Sequence, residues 1–355
     1  MKSNYKSIKV LIADDSIFIQ RVLTDLLNTD DEIDVIGVAK NGQDAIDKVK
    51  ELKPDVVTMD VEMPKVNGIE ALKVIMDESP VPVIMLSSLT YEGAHSTLTA
   101  LEYGAVDFVQ KPMGVFDLNS KNNKNEIINK VKIAHKAKII KKDSLTVNRP
   151  SPFKIEEYTR RSLHTTIVGI GISTGGPRAL QYILPQIPGN IPASFLVVQH
   201  MPPNFTKSLA DRLNTICQVK VKEAEDGELV KPGYVYIAPG DYHLKIRETG
   251  AEYVIQLGKE DAVSGHRPSV DVLFNSLSEL KLTNNIIAAV LTGMGSDGTK
   301  GALNLKSKKG SYIIAQDEES SVVYGMPKSV AKAGVVDEIV SLDKIMNVII
   351  NRVGV

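Results

Sequence analysis

The sequence predicts an α/β protein of two domains, each a mostly parallel sheet wrapped by helices. Short apolar runs alternate with amphipathic stretches from Ile8 to Met113, and the alternation resumes at Thr165 after a polar, lysine-rich interval. A chain of 355 residues is also too long for one ordinary core.

In the first block, strands are expected at Val10 to Ala13, Val35 to Val38, Val56 to Met59, Val83 to Leu86 and Val106 to Val109. Between them lie helix-type segments such as Ile17 to Leu27 and Gly68 to Met76. A basic helix through Glu126 to Lys138 leads into a linker marked by Pro150 and Pro152 and ending near Leu163. In the second block, Thr165 to Ile170, Ser194 to Val198 and Ile286 to Leu291 read as buried strands, and Ala179 to Leu184 and Phe205 to Ile216 as helices. Tyr234 to Ile237, Tyr242 to Ile246 and Tyr253 to Leu257 alternate around Pro-Gly and Thr-Gly turns, which suggests an inserted antiparallel hairpin. The expected boundaries are 1–125, a basic helix and linker over 126–163, and 164–355.

Hydrophobic content of 43% and charged content of 24% are those of a soluble globular protein. One cysteine, Cys217, excludes an internal disulfide framework and a multi-cysteine zinc site, and reads as a small core residue on a helix. No run approaches the ~20 apolar residues of a membrane span, and Met1 to Lys9 does not read as a signal peptide, so a cytoplasmic location without membrane insertion is expected. A formal charge of −1 argues against nucleic-acid binding. Its distribution is uneven: Asp117 to Leu163 carries 12 Lys and Arg against 5 Asp and Glu, and its Lys-Asn repeats lack interleaved aromatics, as a solvated linker would.

In the first block Asp14 and Asp15 end the first strand and Asp60 ends the third. In a doubly wound sheet these strand ends converge on the rim where ligands bind. Three carboxylates there repel one another unless a hard divalent cation joins them. Ser87 and Lys111, at the ends of the fourth and fifth strands, share the rim, so a phosphoryl group on Asp60 would meet a metal, a hydroxyl and an ammonium. Any one of these acids alone could be a cap or a turn residue; five polar residues at strand ends make a set. The region closely resembles the receiver domain of response regulators, a flavodoxin-like (βα)5 fold. The resemblance implies that Asp60 is the phosphoacceptor, that Asp14, Asp15, Asp60 and the Glu62 carbonyl hold Mg²⁺, and that Ser87 and Lys111 sense the phosphoryl group. Phe108 stands where the family carries an aromatic switch residue, with core packing an equal explanation.

In the second block the first strand runs into Gly171-Ile172-Ser173-Thr174-Gly175-Gly176-Pro177, a glycine-rich turn with proline opening the next helix. A serine so placed is a candidate nucleophile and needs a base and an orienting acid. His200 ends the next strand and opens on the same rim. Asp297 lies in Thr292-Gly293-Met294-Gly295-Ser296-Asp297-Gly298, after the strand Ile286 to Leu291, where an N-cap role is compatible with the catalytic one. His243 reads as either surface or functional, and His266 as a loop residue able to contact substrate. Gly-x-Ser-x-Gly matches the α/β-hydrolase elbow, but that family needs a histidine after the acid, and none follows Asp297.

Ile-Ser-Thr-Gly-Gly, Gln-His-Met-Pro-Pro, His-Arg-Pro-Ser-Val-Asp-Val-Leu-Phe and Leu-Thr-Gly-Met-Gly-Ser-Asp-Gly make the stretch from about Thr165 onward similar to the catalytic domain of chemotaxis protein-glutamate methylesterases. Ile172 departs from the alanine of many members. The resemblance implies a doubly wound methylesterase domain and a phosphorylation-activated hydrolase that demethylates, and deamidates, methyl-accepting chemotaxis receptors through Ser173, His200 and Asp297. It implies Met294 as an oxyanion donor, Thr174 as a positioning residue, a chemotaxis histidine kinase as phosphodonor, and no cofactor at the esterase site. A monomer is expected. The alternatives are a DNA-binding response regulator, which would need a compact basic helical module, and a catalytically inactive adaptor of the same fold.

Overall fold

Val10, Leu11, Ile12 and Ala13 are completely buried, and burial of consecutive strand residues means that both faces of their sheet are covered. Their strand, β1 (Ile8–Ala13), pairs in parallel with β2 (Ile33–Ala39) and β3 (Val56–Asp60). With β4 (Val83–Ser87) and β5 (Asp107–Gln110) it forms a five-stranded sheet in the order β2-β1-β3-β4-β5. This computed structural model describes residues 7–88, 90–111, 121–139, 166–250, 252–281 and 285–354, which fall into two units, Met1–Leu145 and Thr146–Val355.

In the first unit the helices are α1 (Ile17–Leu27), α2 (Gly42–Leu52), α3 (Gly68–Glu78), α4 (Tyr91–Glu102) and α5 (Lys121–Lys136). Ser16, Asn41, Asn67 and Thr90 accept backbone N–H groups as the caps of the first four, and Asn67 with Glu70 forms a complete capping box. The strand order reverses between β1 and β3, so their carboxyl ends frame the ligand crevice of this architecture. Gly68 is required there: a Cβ on it would lie 1.9 Å from the Asp60 carbonyl oxygen, so glycine lets α3 start against the strand that presents Asp60.

The boundary expected at 125 cuts through α5, which belongs to the first unit. Its apolar stripe of Ile127, Ile128, Val131 and Ala134 is buried, and Lys132 pairs with Asp30 at 2.9 Å. Lys124, Lys130, Lys132 and Lys136, part of the segment's basic charge, lie on this helix. The remainder of the expected linker, with Pro150 and Pro152, lies outside the described residues.

In the second unit seven strands join in parallel in the order β14-β13-β12-β6-β7-β9-β8. The three that form the site are central: β6 (Thr166–Ile172), β7 (Ala193–Gln199) and β12 (Ile286–Val290). β8 (Lys220–Glu223), β9 (Tyr234–Ile237), β13 (Tyr312–Gln316) and β14 (Glu338–Val340) complete the sheet. β10 (His243–Thr249) and β11 (Glu252–Gly258) form the expected antiparallel hairpin, but Tyr234 to Ile237 is not part of it. That segment pairs with β7 and β8, and Tyr236 is completely buried with its hydroxyl donating to the Leu229 carbonyl at 3.0 Å. The alternation of Tyr and apolar residues thus marked a strand but not its buried setting within the sheet.

The helices are α6 (Gly176–Ile183), α7 (Phe205–Asn214), α8 (Val270–Ser278), α9 (Thr299–Lys309), α10 (Met326–Lys332) and α11 (Leu342–Val353). Cys217 lies beyond the end of α7 rather than on a helix, and burial pushes its thiol up to about 12, which leaves it an unreactive packing residue. Among the described residues no helix is long and apolar enough to cross a membrane.

Candidate active site

β6 stands between β12 and β7, so the sheet order reverses at β6 and the carboxyl ends of the three strands face one crevice. Ser173 leaves β6, His200 leaves β7, and Asp297 lies in the loop after β12. Backbone contacts hold the three exits together. The Ser173 N–H donates to the Thr292 carbonyl at 3.0 Å, and the His200 N–H to the Ile172 carbonyl at 3.2 Å. The Gln199 side-chain amide donates to the Ser173 carbonyl at 3.1 Å and to the His200 carbonyl at 3.3 Å, tying the two turns to each other. Space for this is made by Gly176, whose Cβ would fall 1.9 Å from Gln199 Oε1.

Asp297 is almost fully buried and collects five donors. Its Oδ1 accepts from Ser269 Oγ at 2.8 Å and from the N–H groups of Asp271 at 3.0 Å and Gly298 at 3.1 Å. Its Oδ2 accepts from the Val270 N–H at 2.7 Å and lies 2.9 Å from His200 Nε2. Three of these donors belong to the start of α8, capped by Ser269, where unpaired N–H groups and the helix dipole favour an anion. Val270 can approach because residue 171 is glycine: a Cβ there would lie 2.3 Å from Val270 Cγ1. Burial alone would raise the Asp297 carboxyl, but His200 and the helix N–H groups outweigh it and hold it down at about 2.

An ionised carboxylate only accepts hydrogen bonds, so the proton of a neutral His200 ring sits on Nε2. The other nitrogen, Nδ1, is buried and without a hydrogen-bond partner. Such an imidazole can take a proton from a hydroxyl brought against Nδ1.

Other expected residues take varied places. Thr174 is buried, and its carbonyl accepts from Thr292 Oγ1 at 2.9 Å, while the same Thr292 hydroxyl accepts from the Val323 N–H at 3.0 Å. Thr292 thereby joins the loops after β6, β12 and β13, a role that its sequence context does not announce. Met294 is 45% exposed on the loop carrying Asp297. His243 is buried on β10, with Nε2 3.1 Å from the Asp261 carbonyl, a core position remote in role from a surface or catalytic histidine. His266 stacks face to face on the His200 ring.

In the first unit, ligand oxygens of Asp14, Asp15 and Asp60 lie within 4.8 Å of one another, a hard-donor set of the kind Mg²⁺ takes. Asp14 and Asp60 are buried and Asp15 is exposed. Lys111 Nζ lies 2.6 Å from Asp60 Oδ2 and 3.0 Å from Asp14 Oδ2. Burial, aided by the charge of Asp14, pushes the Asp60 carboxyl up to about 6 against the opposing pull of Lys111 and the Glu62 N–H. Glu62 is exposed, two residues beyond the end of β3. Ser87 is buried at the end of β4 and accepts a 2.6 Å hydrogen bond from Thr97 Oγ1 on α4. Phe108 is buried, with Lys130 Nζ 5.1 Å from its ring centroid.

A carboxyl that keeps its proton to about pH 6 in the fold, but to about 3.9 when solvated, weakens the fold as pH rises between those values, and the cost persists at neutral pH. Asp60→Asn is therefore expected to stabilise the metal-free first unit by roughly 2–3 kcal/mol at pH 7.5, with the gain shrinking towards zero near pH 4. Urea unfolding of the full chain with EDTA at the two pH values measures it; equal midpoints at pH 7.5 would contradict the buried-charge account.

The two units thus define a receiver-like parallel α/β domain with an acidic crevice, followed by a second parallel α/β domain whose crevice holds a serine turn and a buried His–Asp pair. Comparisons with known proteins agree. The family model described as CheB methylesterase matches residues 168–349, and that of the response regulator receiver domain matches residues 10–122. A protein of Halalkalibacterium halodurans named protein-glutamate methylesterase/protein-glutamine glutaminase is 47% identical over 97% of this chain and 98% of its own. A Pyrococcus abyssi protein of the same name is 43% identical over 98% of this chain and 94% of its own. The crystal structure of the Thermotoga maritima CheB methylesterase catalytic domain is 49% identical, with a TM-score of 0.52, and matches 53% of this chain and 99% of that one. The chain belongs to the CheB methylesterase family.

Proposed function

We propose that this chain is a phosphorylation-activated protein-glutamate methylesterase and protein-glutamine glutaminase acting on methyl-accepting chemotaxis receptors in the cytoplasm, as a monomer, to give sensory adaptation. The names of its full-length relatives support the activity, and one observation carries the mechanism: the 2.9 Å contact of His200 Nε2 with a buried, ionised Asp297, beside the Ser173 turn.

In this reading Ser173 Oγ attacks the side-chain carbonyl of a glutamate methyl ester while His200 Nδ1 takes the hydroxyl proton. The ring becomes an imidazolium whose charge Asp297 balances without itself being protonated. His200 then returns the proton to the departing methoxide, and methanol leaves. A water deprotonated by the same nitrogen attacks the acyl-enzyme, Ser173 recovers its proton, and the glutamate carboxylate is released. With a glutamine substrate ammonia leaves instead. Backbone N–H groups of the glycine-rich turns, Met294 among them, receive the oxyanion, each worth on the order of 3 kcal/mol. Thr174, anchored through Thr292, positions the serine turn.

Asp60 receives the phosphoryl group from a chemotaxis histidine kinase. The carboxylates of Asp14, Asp15 and Asp60, with the Glu62 carbonyl, would hold Mg²⁺, which when bound neutralises charge at the phosphoryl group. Lys111 pairs with a phosphoryl oxygen, and Ser87 turns its hydroxyl towards another, altering its bond to Thr97 on α4. Methanol release from methylated receptor membranes, with and without a small-molecule phosphodonor and Mg²⁺, tests the whole proposal. The wild type should accelerate with the phosphodonor and Asp60→Asn should not; absence of methanol release removes the esterase reading, and equal acceleration of both proteins removes the role of Asp60.

A further inference from the structure

The face of the His200 ring is covered as deliberately as its edge. The His266 ring lies over it, with centroids 3.8 Å apart and planes within 9° of parallel. Local structure sets this ring in place. Val263 and His266 exchange both backbone hydrogen bonds, at 3.0 and 2.9 Å, around Ser264 and Gly265, whose φ values of 53° and 82° are both left-handed. Those are the φ signs of a type I′ turn, a narrow conformation that returns the chain at once. Nothing lies within 4 Å of a Cβ built on Gly265, so glycine serves the backbone angle there rather than close packing.

The chain after His266 is pinned as well. The Arg267 guanidinium is paired with Asp241 and donates to the carbonyls of Lys259 at 3.2 Å and Glu260 at 3.0 Å. Two residues later Ser269 opens α8 and begins the set of donors to Asp297. One short segment, Val263 to Asp271, therefore supports both the face of His200 through His266 and its edge through Asp297.

The edge alone does not fix the ring. With a single hydrogen bond at Nε2 and an unpartnered Nδ1, the imidazole can still tilt about the Nε2 to Asp297 contact, and tilting moves Nδ1. A flat ring at 3.8 Å blocks that tilt on one side. We propose that His266 is a positioning residue for the hydrolytic reaction: its ring holds the plane of His200 so that Nδ1 keeps the direction in which the serine proton is transferred. This rests on His200 being the base and goes beyond it by giving His266 a part that needs its flat shape, not its nitrogens and not contact with the substrate.

The test uses full-length wild type, His266→Ala and His266→Phe, with methylated receptor membranes as substrate and methanol release as readout. His266→Ala should lower kcat about tenfold or more with KM within about twofold, and His266→Phe, flat but unable to carry a proton, should recover kcat to within about threefold of wild type. Three results overturn the proposal: an alanine variant with wild-type kcat, a change confined to KM, or equal loss in both variants, which would put chemistry on the His266 nitrogens. A second readout is independent of turnover. In NMR spectra of the His side chains, assigned with His200→Gln, the His200 ring protons should show a ring-current shift that alanine abolishes and phenylalanine keeps; its absence in the wild type also overturns the stack. If instead Ser173→Ala releases methanol as fast as wild type, the assignment of Ser173 and its base falls, while the NMR result still reports on the stack.

Discussion

Ser173→Ala is expected to lower methanol release by at least about 10⁴-fold while leaving the fold intact. The size follows from the reaction: without Oγ there is no acyl-enzyme, and His200 can at best activate water in a site shaped for a serine adduct. The intact fold follows from the contacts. The bonds that hold the turn are made by the Ser173 N–H and carbonyl, to Thr292, Gly176 and Gln199, and all survive the loss of the hydroxyl. Stability measured by urea unfolding should remain within about 0.5 kcal/mol of wild type, as for substitutions that leave a packed core unchanged. A Ser173→Ala protein that turns over at more than a hundredth of the wild-type rate would remove the nucleophile assignment, and one that fails to fold would show that the hydroxyl has a structural partner.

The second large effect is expected at Asp297, where function and fold are joined. Asp297→Asn should cost roughly 10³ to 10⁴-fold in kcat, because an amide nitrogen facing His200 favours the wrong tautomer and cannot balance an imidazolium. It should also destabilise the second unit. Oδ1 receives three donors and Oδ2 two, so either orientation of the amide turns an NH₂ group against backbone N–H groups of α8. Each buried donor left unpaired costs about 1–3 kcal/mol. The pH dependence has a definite sign. The folded carboxyl is depressed to about 2, so the stabilisation it gives is complete above about pH 4 and is lost as pH falls through about 2. The stability difference between wild type and Asp297→Asn should therefore be constant from pH 8 to 5 and shrink below pH 4; a difference that disappears near pH 6 would contradict an ionised Asp297 across the working range.

The alternation of apolar runs placed the central strands to within a few residues, and the polar residues just beyond them turned out to share rims. Ser173, His200 and Asp297, and Asp14, Asp15, Asp60, Ser87 and Lys111, could be singled out because a strand end in a parallel sheet is legible from one short window. Where reading failed, the window was too short. Tyr234 to Ile237 looked like a hairpin strand because its pairing with β7, some forty residues earlier in the chain, leaves no local mark. The charge of α5 hid its buried stripe. Gln199 and Thr292 stand in quoted motifs, yet nothing local says that one ties Ser173 to His200 or that the other joins three loops.

The sequence by itself determined the class of both domains, the rim residues and the family, since hydrophobic periodicity and turn chemistry are set by neighbours along the chain. Only the tertiary structure decided which nitrogen of His200 meets Asp297, how five donors hold that carboxylate, and that His266 covers the ring. Those contacts join residues as many as 97 positions apart, and their geometry follows from strand order and helix approach, quantities that no local pattern of residues encodes.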